Sequence, residues 1–197
     1  MTVTKTEIYN LCLINIGHTR KATADSTELA NCESIYEQKK RSLLTMADWS
    51  FARTYTTLAL TGNTATGWTY EYAYPNGCLK AIEIARESSD TKPIPFTTGL
   101  RYNESTETEQ RVILTDEANA ELVYIRDIQS TTLFTPKFVD ALWSYMNITL
   151  ARLMAKKEST VQEMTKLFEF HMSEAIRSGE TEAADKPELD AIWIRDR

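Results

Sequence analysis

Apolar positions along the chain follow two different periods, and these divide it into helical ends and a β-rich middle. From Thr4 onward, Ile8, Leu11, Cys12, Leu13, Ile14 and Ile16 cover most of a helix circumference, which predicts a helix buried on more than one side. Thr4 and Glu7 stand in capping-box relation at its start. Gly17 can take the left-handed conformation that ends it. A second helix is expected to begin near Asp25, with Glu28 three residues on, and to stop around Trp49. Leu29, Cys32, Tyr36, Leu43 and Ala47 form its apolar stripe.

Between Trp49 and about Ile128 the chemistry is that of strands: Thr, Tyr, Val and Ile dominate, punctuated by Gly, Pro and Asn. The candidate strands are RTYTTLAL, WTYEYAYP, CLKAIEIA, RVILT and ELVYIRDI. Tyr70, Tyr72 and Tyr74 alternate and would share one face. DEANA (116–120) reads as a hairpin turn, and the acidic stretch GLRYNESTETEQ (99–110) as a protruding loop or hairpin tip.

Helical spacing returns at Thr135-Pro136, a side-chain cap followed by proline at the first helical position. Phe138, Val139, Leu142, Trp143, Tyr145, Met146, Leu150 and Leu153 nearly encircle this third helix, while Lys156 and Lys157 suit the negative end of its dipole. The fourth helix is expected from Ser159, with Gln162 in capping-box position, to Gly179; it carries Val161, Met164, Phe168, Met172 and Ala175. Elements segregated in this way predict an α+β fold. Residues 4–48 and 135–178 would form a four-helix bundle. Residues 49–130 would be an antiparallel β domain inserted between helices two and three, and 179–197 an extended C-terminal tail.

Charge and composition narrow the function more than they identify it. The chain of 197 residues is 42% hydrophobic and 25% charged, as in ordinary globular proteins. No apolar run reaches the roughly 18–20 residues that cross a bilayer, and the N-terminus lacks the pattern of a signal peptide. Synthesis in a cytoplasm, with no membrane partner, is the expectation. A net charge of −6 does not suit a protein that grips nucleic acid through a basic stripe. The densest basic cluster, Lys39-Lys40-Arg41, reads as a solvated helix face with an ion pair from Glu37 to Arg41. Cys12, Cys32 and Cys78 are too widely spaced for a disulfide framework or a zinc site, and Cys12 and Cys32 fall on apolar helix faces.

Catalytic chemistry is thin. The two histidines, His18 and His171, have no ligand partner at short spacing, and His171 reads as a satisfied helix residue. The serine motifs G-x-S-x-G and S-x-x-K are absent. GNTATGW copies the glycine spacing of a phosphate loop, but Trp68 stands where lysine belongs, so it reads as a turn. Glu104, Glu107 and Glu109 could in principle supply a glycosidase carboxylate pair, although a polar loop offers nothing apolar to raise a carboxylate pKa. No enzyme, cofactor or metal is expected.

Four stretches in order carry a resemblance: IYNLCLINIGHTR, Glu33 through DWSFAR, YAYPNGCLKAIEI and TPKFVDALWSYMNITLARLMA. Together, over most of residues 4–176, the chain resembles the tail tubular protein A family, the head-to-tail adaptors or gatekeepers of short-tailed bacteriophages. The resemblance implies a structural virion protein assembled in the host cytoplasm. Twelve copies would form a collar beneath the portal protein, extend the DNA channel without binding DNA specifically, and seat the tail nozzle, tail tubular protein B. It transfers no active-site residues.

The segment beyond the polar linker SGETEAADKP ends in an apolar strand-like run. Leu189, Ile192, Trp193 and Ile194 are the expected anchors to the portal or an adjacent subunit, by strand addition or groove docking; docking on their own domain is the alternative. Glu104, Glu107 and Glu109 would face the nozzle or the channel. Two other functions fit the same sequence: a tail-associated peptidoglycan hydrolase using the loop carboxylates, and a head-completion or connector protein of a long-tailed phage.

Overall fold

The computed structural model describes residues 3–17, 26–85, 92–103, 107–154 and 156–182. Among these residues the fold is mixed α+β, with four helices and two three-stranded antiparallel sheets. Helices α1 (Lys5–Asn15) and α2 (Thr27–Met46) come first. Strands β1 (Arg53–Thr57), β2 (Tyr70–Ala73), β3 (Cys78–Ile84), β4 (Phe96–Asn103), β5 (Thr108–Thr115) and β6 (Glu121–Arg126) follow, and α3 (Pro136–Leu153) and α4 (Glu158–Glu182) close the order.

The capping box of α1 forms as expected: Thr4 N donates to Glu7 Oε2 at 2.7 Å and Glu7 N to Thr4 Oγ1 at 3.2 Å. Gly17 follows with φ +76°. Burial of α1, however, is one-sided. Ile8, Cys12, Leu13 and Ile16 are buried, whereas Leu11 and Ile14 are 37% and 59% exposed. The cap of α2 is Ser26, whose Oγ accepts from Leu29 N at 3.1 Å; Asp25, the expected start, lies outside the described residues. This helix stops at Met46, short of Trp49, whose indole N–H turns back to the Leu43 carbonyl at 2.9 Å.

Helix α3 is the hub. Thr135 caps it and Pro136 opens it, and it packs against α1, α2 and α4. Its apolar belt is buried except at Tyr145, which is half-buried, and Leu153, which is 54% exposed. Helix α4 starts at Glu158, so Ser159 lies inside the first turn instead of capping it. The helix then runs through Gly179 to Glu182. Glycine ends a helix by adopting positive φ, and Gly179 is helical here.

The five expected strands all form, with a sixth between them. β4 has no run of apolar residues to mark it, only Thr97, Thr98 and Gly99 between Phe96 and Leu100. Its pairing to β5 along the whole of 96–103 creates it. The two sheets have orders β1-β6-β3 and β2-β5-β4. DEANA is therefore not a hairpin turn. It carries the chain from one sheet to the other, with Asn119 in the left-handed region at φ +54°, which asparagine tolerates.

Strand β6 separates two cores. Ile125 joins the helical core, whereas Leu122 and Tyr124 pack with Tyr72, Ile84 and Ile113 in a second core between the sheets. Two bulges in β3 serve the same division. Leu79 and Ile82 are the extra residues in the β3–β6 register, and both turn onto the helical core. Tyr70, Tyr72 and Tyr74 share the second core, as their alternation predicts.

Candidate interaction surfaces

The basic cluster of α2 is not a solvated face. Lys40 is 1% exposed, with Nζ 2.8 Å from Glu37 Oε2 and 3.0 Å from Asp127 Oδ1. Arg41 Nε bonds Asp127 Oδ2 at 2.8 Å, replacing the expected pair with Glu37. Glu37 instead takes Lys5 of α1 at 3.0 Å. Lys39 lies over the Tyr145 ring, 4.1 Å from its centroid. The network ties α1, α2 and the end of β6 together. Nothing in the spacing of Lys39-Lys40-Arg41 pointed to it, because its key acceptor, Asp127, is remote in sequence. Burial alone would raise the Glu37 pKa, but the ammonium groups of Lys40 and Lys5 outweigh it and hold the carboxyl below its ordinary value.

The acidic stretch 99–110 forms part of the β4–β5 hairpin, with residues 99–103 and 108–110 paired as strand. Glu107 sits in the turn at φ +50° and is exposed. Glu109 lies on β5 opposite Tyr102 and is exposed as well, while Glu104 lies outside the described residues. Leu100 and Tyr102, on the edge strand, are 70% and 55% exposed. A buried carboxylate anchors the arm. Glu71 of β2 is 2% exposed and receives the Arg101 guanidinium through both Nε and Nη2. It also accepts from Thr61 Oγ1 at 2.8 Å and Asn63 Nδ2 at 3.1 Å. Burial works to raise the Glu71 pKa, and these donors overcome it, so the net shift is downward.

Glu71 thus joins the 61–69 connection, which contains GNTATGW, to β4 across the middle strand. Glu71→Gln is expected to accelerate amide hydrogen exchange at residues 61–67 and 97–103 while leaving α3 protected. Uniform acceleration throughout the chain would mean that Glu71 supports the whole fold and not the arm.

The third surface is a groove of about 800 Å³ where the end of α2, the turn after it and the start of α3 meet α4. Met46, Trp49 and Phe51 face Pro136, Ala175 and Ile176 across it. Met46 and Ile176 are 45% and 43% exposed, whereas Trp49 is buried. Arg53, Lys80, Lys137 and Asp48 stand around it; Asp48 lies 3.4 Å from Lys80 and 3.9 Å from Arg53, and Lys137 pairs with Glu174 at 3.7 Å. Nothing in DWSFAR itself marks a groove; it forms only where the fold sets that segment against α3 and α4.

Leu189, Ile192, Trp193 and Ile194 lie outside the described residues. His171 is satisfied as expected, with Nδ1 donating to the Asp140 carbonyl at 3.1 Å and its ring against Trp143. Cys12, Cys32 and Cys78 are buried thiols. Burial pushes Cys12 and Cys32 well up from the ordinary thiol range, which makes them poor nucleophiles. No protein-family model matches the chain, and no curated protein matches it.

Proposed function

We propose that the protein is a structural head-to-tail adaptor: a collar subunit, in a ring of twelve, between a bacteriophage portal and the tail nozzle. The observation that carries this reading is the ordered set of four stretches resembling the tail tubular protein A family. In this reading residues 4–48 and 135–178 act as a helical bundle, 49–130 as an inserted β domain and 179–197 as the docking tail.

Several features of the surface support it. A cyclic ring uses heterologous interfaces, so each subunit needs two different side surfaces. Leu11 and Ile14 leave an apolar strip on α1, and Leu100 and Tyr102 leave another on the β4–β5 arm. A net charge of −6 suits the wall of a channel through which DNA must slide without adhering. The ion-pair chain from Lys5 through Glu37 and Lys40 to Asp127 would link load on the β sheets to the helices.

Mixing the purified protein with portal rings tests the proposal. Collars should form with a fixed number of subunits per portal, visible as a shifted boundary in sedimentation and as an added layer in electron micrographs. Failure to associate at any salt concentration would overturn it.

A further inference from the structure

We infer that the groove between α2, α3 and α4 is the seat of the chain's own segment 189–194 in the free subunit. This holds whether or not the collar reading does. Length and position favour it. Helix α4 ends at Glu182, and its groove residues Ala175, Ile176 and Ser178 lie about 6–10 Å back along the helix axis. Residues 183–188 join Glu182 to Leu189, and six residues span up to about 20 Å. The linker is therefore long enough to turn back and bring Leu189 to the groove mouth.

Chemistry favours the same occupant. Leu189, Ile192, Trp193 and Ile194 offer a tryptophan and three aliphatic side chains to a cavity walled by Met46, Trp49, Phe51, Pro136 and Ile176. Asp185, Glu188 and Asp190, with Lys186 among them and Arg195 and Arg197 beyond, would meet a rim on which Arg53 and Lys80 share Asp48 and Lys137 pairs with Glu174 at 3.7 Å. The net charge left on the rim is opposite to that of 185–190, which bears on the register of docking more than on affinity. A short linker also holds the segment at an effective concentration on the order of millimolar, far above what a second copy reaches in dilute solution. A segment held this way covers an apolar groove until a competing surface takes it.

The test uses the full-length chain and a fluorescent synthetic peptide of residues 183–197, followed by anisotropy. Wild-type protein should not take up the peptide at micromolar concentrations, because its groove is filled. Full-length Trp193→Ala should bind it, and Trp193→Ala with Ile176→Asp should bind it roughly thirtyfold more weakly or not at all, the scale of losing a hot spot. Ile176 and Met46 are both partly exposed, so Met46→Asp serves as a second groove variant if Ile176→Asp disturbs the thermal transition. Equal uptake by wild type and Trp193→Ala would overturn the proposal. So would no uptake by Trp193→Ala, or uptake unaffected by both groove variants. If the wild-type groove opens on dilution, the occupant is a second copy and the intramolecular seat is wrong.

Discussion

Asp127→Ala is expected to destabilise the protein by about 3–5 kcal/mol, the cost of removing one partner from a buried ion pair. For a chain of this size that corresponds to a fall in thermal midpoint of roughly 6 to 20 °C. Lys40 is the reason. Its side chain is 1% exposed and cannot turn to water when Asp127 is lost, and among the described residues Glu37 alone remains within ion-pair distance. Arg41, by contrast, is 56% exposed and can be solvated in place, so Arg41→Ala should cost far less. The paired replacement Lys40→Met with Asp127→Leu removes both buried charges and should recover most of the stability, since apolar isosteres of buried pairs are often neutral or better. Chemical denaturation of the three variants beside the wild type decides the matter. If the double replacement is as unstable as Asp127→Ala, packing at this site matters more than charge.

The same network sets a pH dependence. The Glu37 carboxyl is held below its ordinary value of 4.5 in the fold, so the unfolded chain binds its proton first as pH falls. The stabilisation is fully present above about 4.5 and is lost as pH drops through the folded value. Glu71 acts with the same sign. Glu37→Gln should therefore flatten part of the acid limb of a stability–pH curve and leave the limb above pH 6 unchanged.

What was legible in the sequence was whatever local chemistry encodes. The Thr4–Glu7 box, the Thr135-Pro136 start and five of six strands follow from neighbours within a few residues. What was missed depends on distant partners. β4 exists because β5 pairs with it, and its own Thr-Thr-Gly run carries no period. DEANA has the composition of a hairpin turn, yet it links two sheets, because the partners of β5 and β6 are chosen by the tyrosine face and the helical core. Lys40 looked solvated because helical spacing offered Glu37 to Arg41 and concealed Asp127. The groove is assembled from three separate regions, none of which looks concave in sequence. Of the expected interaction residues, Glu107 and Glu109 fall on an exposed hairpin, where their polarity placed them.

Phe138→Ala is expected to have a comparably large effect, about 3–5 kcal/mol from burial and cavity alone. Phe138 is fully buried and is the centre of an aromatic cluster. Its ring lies 4.8 Å from Trp49, 5.0 Å from Phe51 and 4.8 Å from Phe134, each edge-to-face. Such pairs add roughly 0.5–1.5 kcal/mol apiece beyond area, so truncation removes three at once. Domains are typically stable by about 5–15 kcal/mol, and the variant would sit near the edge of folding at 37 °C. Phe170 provides the contrast. It is also a helical phenylalanine, but it is 59% exposed, and Phe170→Ala should change stability by no more than about 0.5 kcal/mol. Because Trp49 and Phe51 line the groove as well as touching Phe138, a cavity beneath them should also loosen the groove wall. Amide exchange at residues 46–53 should then rise in Phe138→Ala even at temperatures where α3 and α4 stay protected. Equal stability losses from Phe138→Ala and Phe170→Ala would sink this account, because they would show that the aromatic cluster is not what fixes the start of α3 against the end of α2.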